Sequence, residues 1–337
     1  MSQSPVRSTR AIVSIILVTG GAGYIGSHVC KTLASSGYSP VACDDLSNGR
    51  EGHVRWGPLE QGDITDADWL AGVFARHRPE AVMHLAAYAN VGSSVTDPSP
   101  CYEANVAGTL AVIEAARHNG NCPIIFSSTC AVYGDAPALP VTETSPTAPV
   151  SPYGTSKLIG EQALRHYDSA YGLRSVTLRY FNAAGADPDC EIGEPHATSS
   201  LAIPKAIRAA LGLGPAFRLF GTDYATADGT AMRDYVHVID IADAHLRALD
   251  HLQAGRGSLT LNLGSGRGAT VRELLNAVET ATGHPVPVEP HPRRSGDPAA
   301  LYANIDRAAD ALGWTPANSD LHGIIASAAA WIEKSPG

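Results

Sequence analysis

The sequence lacks an excess of positive charge and any apolar run long enough to cross a membrane. It carries 24 basic and 33 acidic residues, for a net charge of −9, which gives no electrostatic reason to bind nucleic acid or an anionic membrane. The longest apolar run, at residues 11–18, is far shorter than the roughly 20 residues that span a bilayer. These absences favour a small-molecule partner and a cytoplasmic location.

Patterns typical of disulfides and metal sites are also missing. The 6 cysteines form no C-x-x-C pair, and none of the 13 histidines stands in H-x-x-x-H or H-E-x-x-H spacing. We therefore expect reduced thiols and no bound metal. The polar stretch at residues 1–11 has no signal-peptide pattern, and we predict that it is a disordered leader.

What is present is an alternation of short apolar runs with longer helical ones. The pattern predicts strands at 12–19, 40–43, 81–85, 123–127 and 175–180, and helices at 26–36, 66–77, 100–119 and 152–171. Strand and helix in repeated alternation are typical of an α/β fold with a doubly wound parallel sheet of the Rossmann type.

After Asn182 the composition changes to proline, glycine and polar residues. Short elements are predicted at 203–211 and 218–220, and strand-like or helical patterns return at 234–239, 240–251 and 259–263. A chain of 337 residues exceeds the size at which one core usually stops growing. We predict a Rossmann domain at 12–180 with returning segments around 234–264, and a smaller mixed α/β substrate domain at 181–337.

A glycine-rich turn follows the first predicted strand. Residues 18–28, V-T-G-G-A-G-Y-I-G-S-H, contain G-x-x-G-x-x-G at Gly20, Gly23 and Gly26, and G-x-G-x-x-G starting at Gly21. Glycines at these places let a pyrophosphate approach backbone N–H groups at a helix N-terminus. The turn indicates a dinucleotide site.

Two acidic residues extend this site. Asp44 ends the second predicted strand, about 20 residues after the glycines, where a carboxylate meets the adenosine ribose. A carboxylate there repels the extra phosphate of NADP, so NAD is the predicted cofactor. Asp63 either lies near the adenine or caps the helix that begins at residue 66, and the sequence leaves both roles open.

Tyr153 and Lys157 form a candidate reactive pair. Ser151 followed by Pro152 is a good helix start, which places the phenol and the ammonium one turn apart on one face. A nearby ammonium stabilises phenolate and lowers the tyrosine pKa from about 10. Thr129 ends the preceding strand, where ligands of such sheets bind, and could hydrogen-bond the same substrate hydroxyl.

Seven motifs in this order resemble the extended short-chain dehydrogenase/reductase superfamily and, more narrowly, its UDP-glucose 4-epimerases. They are T-G-G-A-G-Y-I-G, H-L-A-A, S-S-T-C-A-V-Y-G, S-P-Y-G-T-S-K, R-Y-F-N, G-T-D-Y-A-T-A-D-G-T-A-M-R-D-Y-V-H-V and N-L-G-S-G. The likeness covers residues 12–314. It implies interconversion of UDP-glucose and UDP-galactose through reversible oxidation at carbon 4, with tightly bound NAD regenerated in each turnover.

The resemblance also implies roles for individual residues. Tyr153 is the acid/base, Lys157 its pKa partner and Thr129 the hydroxyl that steers the proton. The implied cofactor residues are Gly20, Gly23, Tyr24, Ile25, Gly26, Asp44, Asp45, Leu46, Ser47, Asn48, Asp63, Ile64, Leu85, Ala86, Ala87, Asn105 and Phe181. The implied UDP-sugar residues are Thr129, Asn182, Leu201, Phe220, Arg233, Arg294, Asp297 and Leu301. The family also pairs helices 100–119 and 152–171 between subunits, which implies a homodimer.

Three departures from the family pattern bear on the substrate. Ala89 stands where lysine is frequent, and Ser200 or Leu201 stands where Asn or His usually meets the substrate. Leu301 stands where a tyrosine restricts strict glucose/galactose epimerases, which leaves room for an N-acetyl group.

Alternatives therefore remain open. They are a 4-epimerase of UDP-N-acetylhexosamine, UDP-pentose or UDP-uronate, a nucleotide-sugar dehydratase, and a non-catalytic binder of NAD or UDP-sugar. A dehydratase needs an acid and a base directly after the threonine, where this chain has Cys130 and Ala131.

Overall fold

A computed structural model describes residues 14–194, 199–294 and 297–335, and the predicted leader at 1–11 lies outside the described residues. The strands are β1 (Ile15–Thr19), β2 (Ser39–Asp44), β3 (Leu59–Gln61), β4 (Ala81–His84), β5 (Ile124–Thr129), β6 (Ser175–Tyr180), β7 (Asn182–Ala184), β8 (Phe217–Phe220), β9 (Met232–Arg233), β10 (Tyr235–His237), β11 (Leu259–Leu263), β12 (Ala269–Thr270), β13 (Val288–His291) and β14 (Ala300–Leu301).

The α-helices alternate with these strands. They are α1 (Tyr24–Ser35), α2 (Ala67–His77), α3 (Val91–Thr96), α4 (Ser99–Tyr102), α5 (Thr109–His118), α6 (Pro152–Tyr171), α7 (Ala202–Ala210), α8 (Val238–Gln253), α9 (Val271–Thr282), α10 (Asp306–Leu312) and α11 (Leu321–Lys334). A π-helical turn at Glu103–Gly108 joins α4 to α5.

Seven parallel strands form the central sheet in the order β11-β6-β5-β4-β1-β2-β3. Successive residues of β1 point to opposite faces, so Ile16 and Val18 enter a core with α1 and α8, whereas Leu17 enters a core with α2 and α5. Because both faces are covered, the central strands β1 and β4 are nearly continuous in apolar residues, whereas β6 and β11 nearer the edge alternate. The predicted doubly wound α/β fold is confirmed.

Most predicted elements of the first half are present with small shifts at their ends. The predicted helix at 152–171 is α6, residue for residue. The helix predicted at 26–36 begins earlier, at Tyr24, because Gly23 is its N-cap. The helix predicted at 100–119 is divided into α4, the π-helical turn and α5, and such turns occur frequently at functional sites.

The C-terminal part forms a second hydrophobic core. Ile207 of α7, Leu274 and Val278 of α9, and Ile325 of α11 pack together there, beside the small sheets β8-β13 and β12-β9-β14. The chain also returns to the large sheet, since β11 is its edge strand and α8 packs on the α1 side. The domain boundaries themselves stay a prediction. The sequence patterns identified no element beyond residue 263, where α9, α10 and α11 lie.

Candidate active site

The glycine-rich turn brings the backbone of β1, α1 and β4 together. A Cβ on Gly20, whose φ is +71°, would lie 2.7 Å from the Ala86 nitrogen, and one on Gly26 would lie 2.0 Å from the Gly20 oxygen. Gly23 is the N-cap of α1 and provides no side-chain cap. The first-turn N–H groups are therefore available to an anion at the positive end of the helix dipole. This cradle fits a dinucleotide pyrophosphate. Gly21 instead packs against β2, since its Cβ would lie 2.6 Å from that of Ala42.

Asp44 lies beside this turn and is nearly fully buried. Its Oδ2 accepts a hydrogen bond from Ala22 N at 3.0 Å, and its Oδ1 accepts one from Leu46 N at 2.9 Å. Burial raises the pKa of Asp44, and these two hydrogen bonds partly oppose that effect. Each oxygen keeps acceptor capacity for a ribose hydroxyl.

The residues after Asp44 form a compact loop. Asp45 accepts hydrogen bonds from Ser47 N at 2.9 Å and Ser47 Oγ at 2.6 Å. Leu46 adopts φ of 63°, which turns the chain back toward the glycine turn, and Asn48 follows. The loop thus stays next to the expected ribose position.

Asp63 does not cap the helix that follows it, so that alternative for Asp63 is wrong. The N-cap of α2 is Asp66, which accepts from Asp68 N at 3.0 Å and Trp69 N at 2.9 Å. Asp63 instead accepts from Thr65 N at 2.8 Å. Its neighbour Ile64 is buried and is close enough to Gly108 that a Cβ there would lie 2.6 Å from Ile64 Cδ1. A role for Asp63 and Ile64 at the adenine stays a prediction.

The loop at 85–89 is tied both to the sheet and to the helices. Ala86 N donates to Thr19 Oγ1 at 3.2 Å, and that hydroxyl also bonds His84 Nδ1 at 2.7 Å. Asn105, in the π-helical turn, accepts from Tyr88 N at 2.7 Å and donates to Tyr88 O at 3.1 Å. The Asn105 amide therefore holds this loop, and a direct contact of that amide with the cofactor stays a prediction.

The structure places Tyr153 and Lys157 one turn apart on α6 and Thr129 at the end of β5. Ser151 Oγ accepts from Gly154 N at 3.2 Å, which starts α6 and places Tyr153 in its first turn. A Cβ on Gly154 would lie 2.6 Å from Ala131 O, so the first turn of α6 packs against the end of β5, and the Thr129 hydroxyl acts on the pKa of Tyr153. Lys157 is buried, and its Nζ lies 5.1 Å from the centroid of the Phe126 ring.

The pKa values of this pair differ from the expectation. Burial raises the pKa of Tyr153 to about 12, although the Thr129 hydroxyl lowers it in part. Burial also lowers the pKa of Lys157 to about 8. The predicted lowering of the tyrosine pKa is therefore not produced by the chain alone, because desolvation of the phenolate outweighs the protein groups that favour it.

Several predicted substrate residues lie on or close to the short strands of the C-terminal part. Arg233 of β9 pairs with Asp297 and also donates to Met232 O at 2.7 Å. The Arg294 guanidinium lies 3.9 Å from the centroid of the Phe220 ring. Arg233 also lowers the pKa of the Cys130 thiol, which burial raises to about 12. The positive charge of Arg233 therefore acts on Cys130, the residue directly after Thr129.

Other predicted substrate residues differ in exposure. Asn182 begins β7, and its N–H donates to Asp234 O at 2.9 Å. Leu301 of β14 is buried with Phe181 and Tyr133. Leu201 is the N-cap residue of α7 and is 37% exposed, so nothing in its packing ties it to the other substrate residues.

One positioning contact escaped the sequence patterns. Ser94 of α3 is buried, and its Oγ accepts from Tyr153 N at 3.3 Å. The two residues are far apart along the chain, and no motif joins them. Only the tertiary structure could show this contact.

Comparison with known proteins defines the class. Residues 16–264 match the model of the NAD dependent epimerase/dehydratase family, and the chain belongs to that family. It is 53% identical over 320 residues to the UDP-glucose 4-epimerase of Rhizobium leguminosarum bv. trifolii, covering 95% of this chain and 98% of that protein. A UDP-glucose 4-epimerase of Rhizobium meliloti is also 53% identical, with 95% and 97% covered.

Solved structures agree with this assignment. The UDP-glucose 4-epimerase of Brucella ovis in complex with NAD is 47% identical, with a TM-score of 0.92 and 94% and 98% of the two chains covered. The Bifidobacterium longum enzyme in complex with NAD⁺ and UDP is 36% identical, with a TM-score of 0.90 and 96% and 99% covered. Among the described residues, no helix has the length and apolarity required to cross a membrane.

Proposed function

We propose that this chain is an NAD-dependent UDP-glucose 4-epimerase that interconverts UDP-glucose and UDP-galactose. The observation that carries the proposal is that Tyr153 and Lys157 lie one turn apart at the start of α6, which packs against the end of β5 after Thr129, in a chain that is 53% identical to curated UDP-glucose 4-epimerases. The glycine cradle and the Asp44 carboxylate fit the cofactor. When bound there, NAD would supply reversible hydride transfer at carbon 4 of the sugar.

Side chains of this protein transfer the proton of the 4-hydroxyl in the proposed reaction. Tyr153 takes the proton of the 4-hydroxyl and later returns it. Thr129 hydrogen-bonds the same hydroxyl and orients it toward the Tyr153 oxygen. The Lys157 ammonium and a cationic nicotinamide nearby both favour the phenolate form of Tyr153. The protein groups alone do not ionise Tyr153 at neutral pH. Losing such a general acid/base costs about 10²–10⁴ in rate.

The substrate must be held by its nucleotide while its hexose stays free to rotate. Arg233 and Arg294 are suited to the diphosphate because guanidinium binds phosphate oxygens in bidentate fashion. Phe220 packs against Arg294 and against the His291 ring, so it can hold the Arg294 guanidinium in place. Apolar Leu301 and Phe181 at the sugar position can pack against either face of the hexose without fixing it.

Cys130 argues against a dehydratase. Elimination of water needs a group after Thr129 that exchanges protons near neutral pH. Burial instead raises the pKa of the Cys130 thiol to about 12, and Ala131 offers no acid or base.

The finer parts of the proposal concern assembly, location and pathway. Tyr102 and Leu110 are each 38% exposed on α4 and α5, which supports pairing of these helices and α6 with those of a second subunit in a homodimer. All six cysteines are free, as expected in the reducing cytoplasm. Galactose metabolism is the pathway that fits the two sugars.

A direct assay tests the function. Purified protein is incubated without added NAD with UDP-galactose, UDP-glucose, both UDP-N-acetylhexosamines, UDP-xylose and UDP-glucuronate, and the products are separated by chromatography. We expect UDP-glucose and UDP-galactose to interconvert. Failure of this pair to react even with added NAD, or a 4-keto-6-deoxy product, contradicts the proposal. Light scattering of the same sample tests the dimer.

A further inference from the structure

A buried polar network lies beneath the reactive residues. Ser128 Oγ donates to Glu161 Oε1 at 2.5 Å. Arg179 binds the same carboxylate in bidentate fashion, with Nε 2.9 Å from Oε1 and Nη2 2.6 Å from Oε2. All three residues are at most 3% exposed. None of them has a place in the proton transfer or the binding described above.

Each member of this network adjoins an element of the site. Ser128 directly precedes Thr129 on β5. Glu161 follows Lys157 by one helical turn on α6, so the two side chains share a face. Arg179 lies on β6, which leads into Phe181. The carboxylate is therefore the point at which the catalytic helix and two strands of the sheet are joined.

The network also reaches the wall of the substrate site. Arg179 Nη1 donates to Tyr133 Oη at 2.8 Å, and Tyr133 Oη donates to Asn262 Oδ1 at 2.6 Å. The Tyr133 ring packs in the cluster that contains Phe181 and Leu301. The same chain of hydrogen bonds thus extends from β5 to β11.

Stability alone does not account for this arrangement. Removing two charges from water is costly, and apolar residues of similar volume often stabilise a core as well as a buried ion pair does. The ion pair also fixes the orientation of the Glu161 carboxylate, because two parallel hydrogen bonds define its plane. A fixed carboxylate in turn fixes the hydroxyl that donates to it.

We propose that Glu161 is a positioning residue for epimerisation. Through the neighbouring serine hydroxyl, it fixes the end of β5 and thereby the position of the Thr129 hydroxyl relative to Tyr153. This inference rests on the proposed function.

Ser128→Ala tests the proposal with the least disturbance, because it removes the contact with β5 and leaves the Glu161–Arg179 pair in place. We expect kcat for UDP-galactose to fall about tenfold, since small displacements of reacting groups cost up to about 10² in rate. The KM and the amount of bound NAD should stay unchanged. Ser128→Thr, which keeps the hydroxyl, should restore kcat.

The pH dependence of kcat distinguishes a positioning role of Glu161 from a merely structural one, because a loss of stability alone would not change it. The groups facing Tyr153 are the Thr129 hydroxyl, which lowers its pKa, and the Cys101 and Cys130 thiols, which raise it, with Lys157 one turn along the helix. If Thr129 moves away from Tyr153, its hydroxyl no longer lowers the pKa of Tyr153. The rising limb of kcat against pH should therefore shift to higher pH in Ser128→Ala.

Glu161→Gln and a matched control complete the experiment. Glu161→Gln keeps the shape and one acceptor oxygen, and we expect it to show the same pH shift if it folds. The control is Asp240→Asn, another buried carboxylate, which accepts from Ser319 Oγ at 2.5 Å and Asn318 N at 2.9 Å. It should lower the urea midpoint without moving the pH profile.

The outcomes separate the inference from the proposed function. If wild-type protein does not epimerise UDP-galactose, the proposed function fails. If wild type is active and Ser128→Ala loses only stability, as the control does, with kcat and the pH profile unchanged, the positioning role of Glu161 is overturned.

Discussion

The backbones of Gly20 and Ala86 touch, although the two residues follow different strands of the sheet. A Cβ on Gly20 would lie 2.7 Å from Ala86 N, and Ala86 N is itself held by Thr19 Oγ1 at 3.2 Å. The glycine turn thus rests on the loop that is expected to line the nicotinamide. A side chain at Gly20 must displace one of these two parts of the cofactor site.

Gly20→Ala should therefore abolish retention of NAD. Both the steric contact and the φ of +71° oppose alanine. The measurement is the NAD released by acid from purified protein. Gly37→Ala is the matched control, because Gly37 has φ of +88° but nothing within 4 Å of its Cβ position. Equal loss of NAD in both variants would show that backbone strain, rather than the contact with Ala86, is responsible.

Tyr153→Phe should leave folding and NAD binding intact and lower kcat by at least about 10², the usual cost of removing a general acid/base. Epimerisation of UDP-galactose measures the rate, and absorbance near 340 nm measures reduced cofactor. Tyr38→Phe is the control, since Tyr38 Oη contacts Gln253 at 2.9 Å on the surface. Near-normal kcat in Tyr153→Phe would remove this residue from its role.

The sequence was sufficient for the sheet and for the reactive motifs because both depend on local patterns. Helix α6 could be predicted to the residue, since Ser151 and Pro152 define its start. The predicted end of β2 at Cys43 was off by only one residue. Asp63 was ambiguous because a second aspartate, Asp66, follows closely, and only the structure shows which one caps α2.

Contacts between distant segments could not be predicted. The pairing of Arg233 with Asp297 depends on β9 and β14 lying side by side, and no periodic pattern marks strands of two residues. The pKa of Tyr153 was expected to fall because Lys157 is near in sequence, but burial raises it. Desolvation depends on the whole surrounding fold and is not visible in spacing.

The pKa of Lys157 predicts a falling limb in the pH profile. Burial lowers this pKa to about 8, so the ammonium is present below that pH and is lost above it. We expect kcat/KM for UDP-galactose to decline above about pH 8, since this parameter reports groups of the free enzyme. In Lys157→Arg the side chain stays charged and the falling limb should vanish. A limb that persists in this variant belongs to another group.

Buried histidines predict a loss of stability in acid. Burial lowers the pKa of His28 and His245 to about 4 and that of His84 to about 3, whereas unfolded histidine titrates near 6.5. Below pH 6.5 the unfolded chain therefore binds protons that the folded chain does not. The free energy of unfolding should fall by up to about 1.4 kcal/mol per pH unit for each histidine as pH drops from 6.5 toward 4.

Urea unfolding at pH 7, 6 and 5 measures this slope. His28→Asn removes one of the titrating groups and should make the slope shallower by the contribution of one histidine. His322→Asn is the control, because His322 is exposed. If His28→Asn and the control have the same slope as wild type, His28 is not among the groups responsible.

Leu301→Tyr should restrict the sugars that the protein accepts. Leu301 is buried against Tyr133 and Phe181, and its backbone pairs with Arg233 in register. Because the core cluster around Leu301 is closely packed, we expect the larger tyrosine ring to extend toward the proposed sugar site. We expect kcat/KM for UDP-N-acetylglucosamine to fall at least about tenfold, the scale of steric discrimination in a pocket, and that for UDP-glucose to change little. Leu301→Met, which keeps the volume, is the control. Two outcomes would contradict this prediction: wild type has no activity on UDP-N-acetylglucosamine, or Leu301→Tyr lowers kcat/KM equally for both sugars. Either result would show that Leu301 is a core residue that does not select the sugar.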